Sequence, residues 1–202
     1  MTFLRIAPVI AACVATVGGC GTAAAWQLGV FTRDGRFEAL DACTLLPPPS
    51  ELARYVHNGR LEPIDSKPKS LFDLGGDTRS ECKWSSNPSR WDNPFRTIRI
   101  HAETKVHHGR TTGVTEAREG LDKWRQARNA APAKAGEEAF THTDLMQIQV
   151  VFVRTDIHDI HVKFRVSNAL IDVSARTHAK PGDRERALVA DLARSVATRL
   201  TA

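Results

Sequence analysis

The chain has 202 residues, 42% of them hydrophobic and 25% charged, a balance that belongs to a folded protein and excludes a disordered or collagen-like one. Four cysteines are too few for a disulfide scaffold, and one tyrosine with eight phenylalanines argues against an aromatic-rich nucleic-acid platform. The 28 basic and 23 acidic side chains leave a net charge of +5, which suits anionic surroundings without naming a partner.

Between Arg5 and Arg33 no charged residue occurs. At about 1.5 Å per helical residue that run reaches roughly 40 Å, more than the roughly 30 Å of a bilayer's hydrocarbon core. Residues 1–32 are therefore expected to be a membrane anchor or signal segment, with Trp26 and Phe31 toward the outer interface. Gly18, Gly19 and Gly21 are poor in a soluble helix but tolerated in a membrane one. The same stretch begins like a signal peptide, and Val17-Gly18-Gly19-Cys20 has the shape of a bacterial lipobox. Lipid on Cys20 is thus the alternative anchor, although cleavage there would strand the apolar stretch 23–31. Arg5 on one side faces Arg33 and Arg36 on the other, so the positive-inside count does not fix the orientation.

Residues 33–42 read as a charged juxtamembrane connector, and residues 43–202 as the soluble domain. Cys43 and Cys82 are its only thiols and permit a single pairing. If bonded, they close a loop of about 40 residues and place the domain in an oxidising compartment; if not, they are two unrelated buried thiols. Zinc is a poorer explanation, because neither has a second Cys or His at ligand spacing. The segment Asp41-Ala42-Cys43-Thr44-Leu45-Leu46, followed some 40 residues later by Glu81-Cys82-Lys83-Trp84, resembles a family of actinobacterial cell-envelope proteins of unknown function, many of them lipoproteins or tethered by an amino-terminal segment. The resemblance implies an extracytoplasmic domain held by a Cys43–Cys82 disulfide, and it supplies no catalytic residue.

Pro47-Pro48-Pro49-Ser50 stops any preceding element, and Leu52, Tyr55 and Val56 at helical spacing predict a brief helix after it. Prolines and glycines dominate residues 58–77, which read as a loop with a short strand at 71–74; residues 86–93 read as a second loop. Strands are expected at 82–84, 97–102, 146–152, 160–166 and 169–176, from alternation of apolar and polar side chains. Residues 155–159 and Ser167-Asn168 have hairpin length, so the last three strands should form an antiparallel meander. Val114, Ala117, Leu121 and Trp124 mark a helix capped by Thr112 or Thr115, and Leu188, Leu192, Val196 and Leu200 mark a final helix capped by Asp183. The expected class is α+β: an N-terminal transmembrane helix, then an antiparallel sheet with both helices packed on one face.

No Gly-rich phosphate loop, HExxH, GxSxG or CxxC occurs, so no named enzyme class, cofactor or metal is indicated. His158 and His161 are expected to point apart, one from a turn and one from a strand, and His107-His108 likewise. Asp156, His158 and Asp159 are read as turn residues capping backbone amides, and Ser85-Ser86 lacks a base partner. Trp84 is expected in the core beside the disulfide, with Trp91 flanking the second loop. One pattern stands out. The polar sides of the strands carry Arg99, His101, His161, Lys163, Arg165 and Arg176, with Gln147 and Gln149 among them and Asp172 the only acid. Such a basic face would attract an anionic envelope polymer, lipid headgroups or an acidic protein, rather than nucleic acid, for which stacking aromatics are missing. The reading is a noncatalytic binding or sensing module tethered at the membrane by its N-terminal segment, with an envelope hydrolase of dispersed residues as the third alternative.

Overall fold

A computed structural model describes residues 35–70, 76–86, 93–107, 111–150 and 153–202. The expected anchor at 1–32 with Cys13 and Cys20, the strand at 71–74, Trp91 and His108 lie outside the described residues. Among the described residues no helix is long and apolar enough to cross a membrane.

Among the described residues two single-turn helices come first, α1 (Ala42–Leu45) and α2 (Pro49–Leu52), followed by strands β1 (Arg60–Ser70), β2 (Thr78–Ser85) and β3 (Thr97–Thr104). Helix α3 (Gly113–Arg128) leads to β4 (Ala131–Ala133), β5 (Glu138–Val150), β6 (Val153–Val166), β7 (Ala169–Thr177) and the last helix, α4 (Asp183–Thr201). All strands pair antiparallel in one sheet of order β1-β2-β3-β7-β6-β5-β4. The fold is thus α+β with a seven-stranded antiparallel sheet, and β5, β6 and β7 form the expected meander.

Alternation along the strands sorts the two faces. Ile98, Ile100, Ile160, Val162, Phe164, Ile171 and Val173 turn to one side, where α4 covers them with Val189, Leu192, Val196 and Leu200. The stretch from α1 to Val56 seals the same core with Leu45, Leu52, Tyr55 and Val56. Helix α3 does not join α4. Its Ala117 and Leu121 pack on Leu170 and Phe140, and Leu170 alternates with Ala169 and Ile171 to the other side of the sheet. The expectation that both helices share one face is therefore corrected: each was recognised by its own apolar stripe, and a stripe does not say which side of a sheet it covers.

Local chemistry fixes the element ends. Thr112 accepts a hydrogen bond from the Thr115 amide at 3.1 Å and caps α3, which stops at Asn129 in the left-handed conformation. Asp183 is the first residue of α4 and not its cap; Gly182 precedes the helix, and Glu185 accepts from its amide at 2.9 Å. Ser167, at φ 53°, forms the tight turn between β6 and β7 with Asn168. Gly136 sits at φ 53° before β5, where an added Cβ would come within 2.5 Å of the Arg165 carbonyl oxygen.

Three boundaries differ from the sequence reading. The segment 58–77 contains β1 despite Pro63 and Pro68, because this is an edge strand, where a missing amide donor is tolerated. Residues 155–159 lie within β6, and its turn to β5 falls between Val150 and Val153. The packed body also begins before residue 43: Ala42 is fully buried, Phe37 and Leu40 pack on the core, and the Asn168 side chain accepts from the Phe37 amide at 3.0 Å. Residues 36–42 thus act as part of the domain rather than as a free connector.

Candidate functional site

Arg99, His101, His161, Lys163, Arg165 and Arg176 do project from one side of the sheet, the side opposite α4, whereas Gln147 and Gln149, expected among them, alternate to the other side because His142 is the β5 residue that pairs with His161. Carboxylates stand among them. Arg176 donates two hydrogen bonds to Asp159 at 2.8 and 2.7 Å, Arg165 lies 2.6 Å from Glu137, and Arg99 lies 3.7 Å from Glu81. The expectation of Asp172 as the only acid is corrected: Asp159 lies in a strand rather than a turn, and Glu81 pairs opposite His101. The surface alternates in charge.

Helix α3 divides this face. Its Trp124 ring lies 5.9 Å from the Lys163 ammonium, the Arg125 guanidinium sits 5.2 Å from the Phe140 ring, and Arg128 reaches Asp144 at 3.5 Å. The His161 and Arg165 side chains are left only 9% and 12% exposed. On the other half a hollow of about 210 Å³ stays open, lined by Ile64, Glu81, Lys83, Arg99, Asp159 and Arg176 among others. Its three cations and two carboxylates make it weakly basic. The larger cleft, about 660 Å³, lies at the C-terminal end of α4 and mixes Arg36, Lys134 and Arg194 with Glu137 and Glu138. Sequence periodicity gave no sign of it, since its lining comes from strand ends, loops and a helix end.

Titration follows from these contacts. Burial pushes the Asp172 carboxyl up, but the His161 hydrogen bond and the charges of His161, Lys163 and Arg99 outweigh it and hold the group below the usual carboxylate range. Burial likewise opposes ionisation of Asp159, yet Arg176 holds its carboxyl low. His101 is pushed below the ordinary imidazole value, mainly by burial. Glu103 is held low against burial by Lys105 and Arg79.

His161 directs Nδ1 at Asp172, 3.1 Å away, and Nε2 at Asp144, 3.5 Å away; His142 Nε2 meets the same Asp144 carboxylate at 3.2 Å. Ser174 stands directly opposite His161, but its hydroxyl takes the Arg99 Nε at 3.4 Å. With both imidazole nitrogens directed at carboxylates, His161 has none left to serve as base to that serine. His158 and His161, three residues apart in β6, face opposite sides of the sheet. Among the described residues no group of three or more His, Cys, Asp or Glu is arranged to hold a metal ion.

Cys43 and Cys82 are joined in a disulfide, with their Cα atoms 5.0 Å apart, tying α1 to β2. Trp84 is buried near it and donates from its indole to the Val56 carbonyl at 3.3 Å. Ser85 hydrogen-bonds Glu62, a structural contact. Comparison with known proteins finds no match to a family model, a curated protein or a solved structure.

Proposed function

We propose that this chain is an exported protein held at the cell membrane by its N-terminal segment, with the disulfide-locked domain outside the cytoplasm as a noncatalytic binding module. The observation that carries the reading is the Cys43–Cys82 bond, since such bonds persist in oxidising compartments and are rare in the reducing cytosol. The uncharged run 6–32 supports it independently, being long enough to span a bilayer. So does the way the chain enters the domain: the Arg36 amide donates to the Ser167 hydroxyl at 3.1 Å, leaving only three residues between that run and the packed body. The domain would sit close against the membrane surface.

Binding is assigned to the open half of the charged face, around Lys83, Arg99 and Arg176. A small excess of cation favours an acidic protein or an anionic envelope polymer, which would exchange with Glu81 for Arg99 and with Glu62 for Lys83. Neutralising Arg99 and Lys83 to glutamine should weaken such binding and flatten its salt dependence. Unchanged binding would remove this surface from the account.

The topology is tested by adding protease to wall-stripped intact cells that make the full chain. Degradation of the domain before lysis is expected; protection until lysis contradicts export. Intact mass of the membrane-extracted protein then reads the tether. Full length supports an uncleaved helix, and a diacylated product starting at Cys20 would replace it with a lipid anchor.

A further inference from the structure

The two long edges of the sheet are guarded very differently. Strand β1 carries Pro63, together with Arg60, Glu62 and Asp65, which are the residues that keep an edge from pairing with another chain. Strand β4 also carries a proline but covers only the start of β5, from Ala139 to Thr141. Beyond Thr141, among the described residues, no strand pairs with the outer edge of β5. There the hairpin outgrows its neighbours, since β6 leaves β7 at His158 while β5 and β6 remain paired to Val150 and Val153.

The exposed stretch has the composition that such edges usually avoid. Residues 145–150, Leu-Met-Gln-Ile-Gln-Val, contain no charge, proline or glycine. Leu145, Met146 and Ile148 are 55%, 48% and 39% exposed. The opposite strand of the same hairpin places Arg154 and Asp156 beside them, so charge has been kept off the β5 side alone. An uncharged, alternating edge offers main-chain donors and acceptors along one line and apolar side chains beside them, the requirements for adding a strand.

The geometry points to this edge as a homodimer interface, in which residues 144–150 of β5 pair antiparallel with the same residues of a second copy about a two-fold axis at Gln147. The register follows from the sequence. It sets Met146 of one copy opposite Ile148 of the other, twice, and both lie on the sheet face that carries Ile157. Leu145 falls opposite Gln149, and Asp144 opposite Val150, so no like charges meet. A second copy fits better than an unrelated strand because the segment is complementary to itself in this register. The contact also closes: pairing consumes the unguarded edge and leaves a proline-bearing β1 at each end of the joined sheet, which stops further growth. The inference stands independently of the export reading.

The test uses the full chain, extracted in detergent, with Cys13→Ser and Cys20→Ser so that no native thiol is free once the Cys43–Cys82 bond is formed. Sedimentation should report twice the mass of one chain, and Ile148→Lys should shift it to one. Retention of the disulfide and an unchanged circular-dichroism spectrum show that this exposed substitution leaves the fold intact. In the same background Gln147→Cys should cross-link two copies on oxidation. Leu145→Cys should not, because its symmetry mate lies about 13 Å away along the strand direction. A monomer at the highest attainable concentration, a dimer that survives Ile148→Lys, or equal cross-linking of the two cysteine variants would each overturn the interface.

Discussion

Asp159 and Arg176 share two hydrogen bonds, and the Asp159 side chain is only 12% exposed, so removing its charge leaves a guanidinium without its acceptor. Asp159→Asn should cost about 1.5–3 kcal/mol in urea unfolding. Its carboxyl is held low in the fold, so the stability it contributes is present above the unfolded value of about 3.9 and is lost as pH falls through the folded one. The variant should therefore lose less than the wild type on acidification below pH 4, measured from urea midpoints. His101 works in the other sense. Burial lowers its proton affinity in the fold, so the unfolded chain binds the proton more readily and stability falls as pH drops below about 6.5. His101→Gln should flatten the stability profile between pH 7 and pH 5; a profile as steep as the wild type's would show that His101 is not the sensor. The basic side chains of this face were legible from strand alternation, whereas Asp159 was not, because the polar run 155–159 carries the composition of a turn. Tertiary pairing, rather than local preference, holds that run extended.

Helix α3 shows how little contact can fix an element. Only Ala117 and Leu121 of its stripe are fully buried, against Leu170 and Phe140, while Arg128 with Asp144 and Trp124 with Lys163 supply its polar attachments. Leu121→Ala should therefore cost about 2–5 kcal/mol, and Thr112→Ala about 1 kcal/mol, in equilibrium unfolding. Leu121→Ala should also leave α4 and its face of the sheet protected from hydrogen exchange while α3 loses protection; uniform loss across both helices would contradict separate packing on the two faces. The helices and the strands β3, β6 and β7 were legible because each has one buried face and a clean period. Strand β1 was hidden by its prolines and β4 by its three-residue length, and the start of β5 by the polar His142 and Asp144, which are satisfied on the α3 side of the sheet. Periodicity reads burial, and these elements bury little.

For the whole molecule the disulfide joins the two parts of the chain that periodicity describes least well: α1, a single turn, and β2, which borders the proline-bearing edge strand. The residues between Cys43 and Cys82 contribute Leu52, Tyr55 and Val56 to the core, so the bond restrains a segment whose own secondary structure is short. With 39 residues of separation, its loss should cost about 3–4 kcal/mol on the loop-entropy account, a large share of the stability of a domain this size. Cys43→Ser with Cys82→Ser should accordingly show a lower urea midpoint, and a midpoint unchanged from the wild type would mean that the sheet and α4 hold this segment unaided. The pairing of the cysteines was legible in the sequence; the opposite placement of α3 and α4, and the carboxylates that break the basic face, became legible only with the sheet order. Export of the domain requires one residue pair, Cys43 and Cys82, to be oxidised in the cell. Differential alkylation of intact cells making the full chain, followed by peptide mass analysis, should recover Cys43 and Cys82 in a single linked, unlabelled species that takes up label only after reduction. Recovery of the two as free thiols, shielded from a membrane-impermeant reagent until lysis, would contradict it.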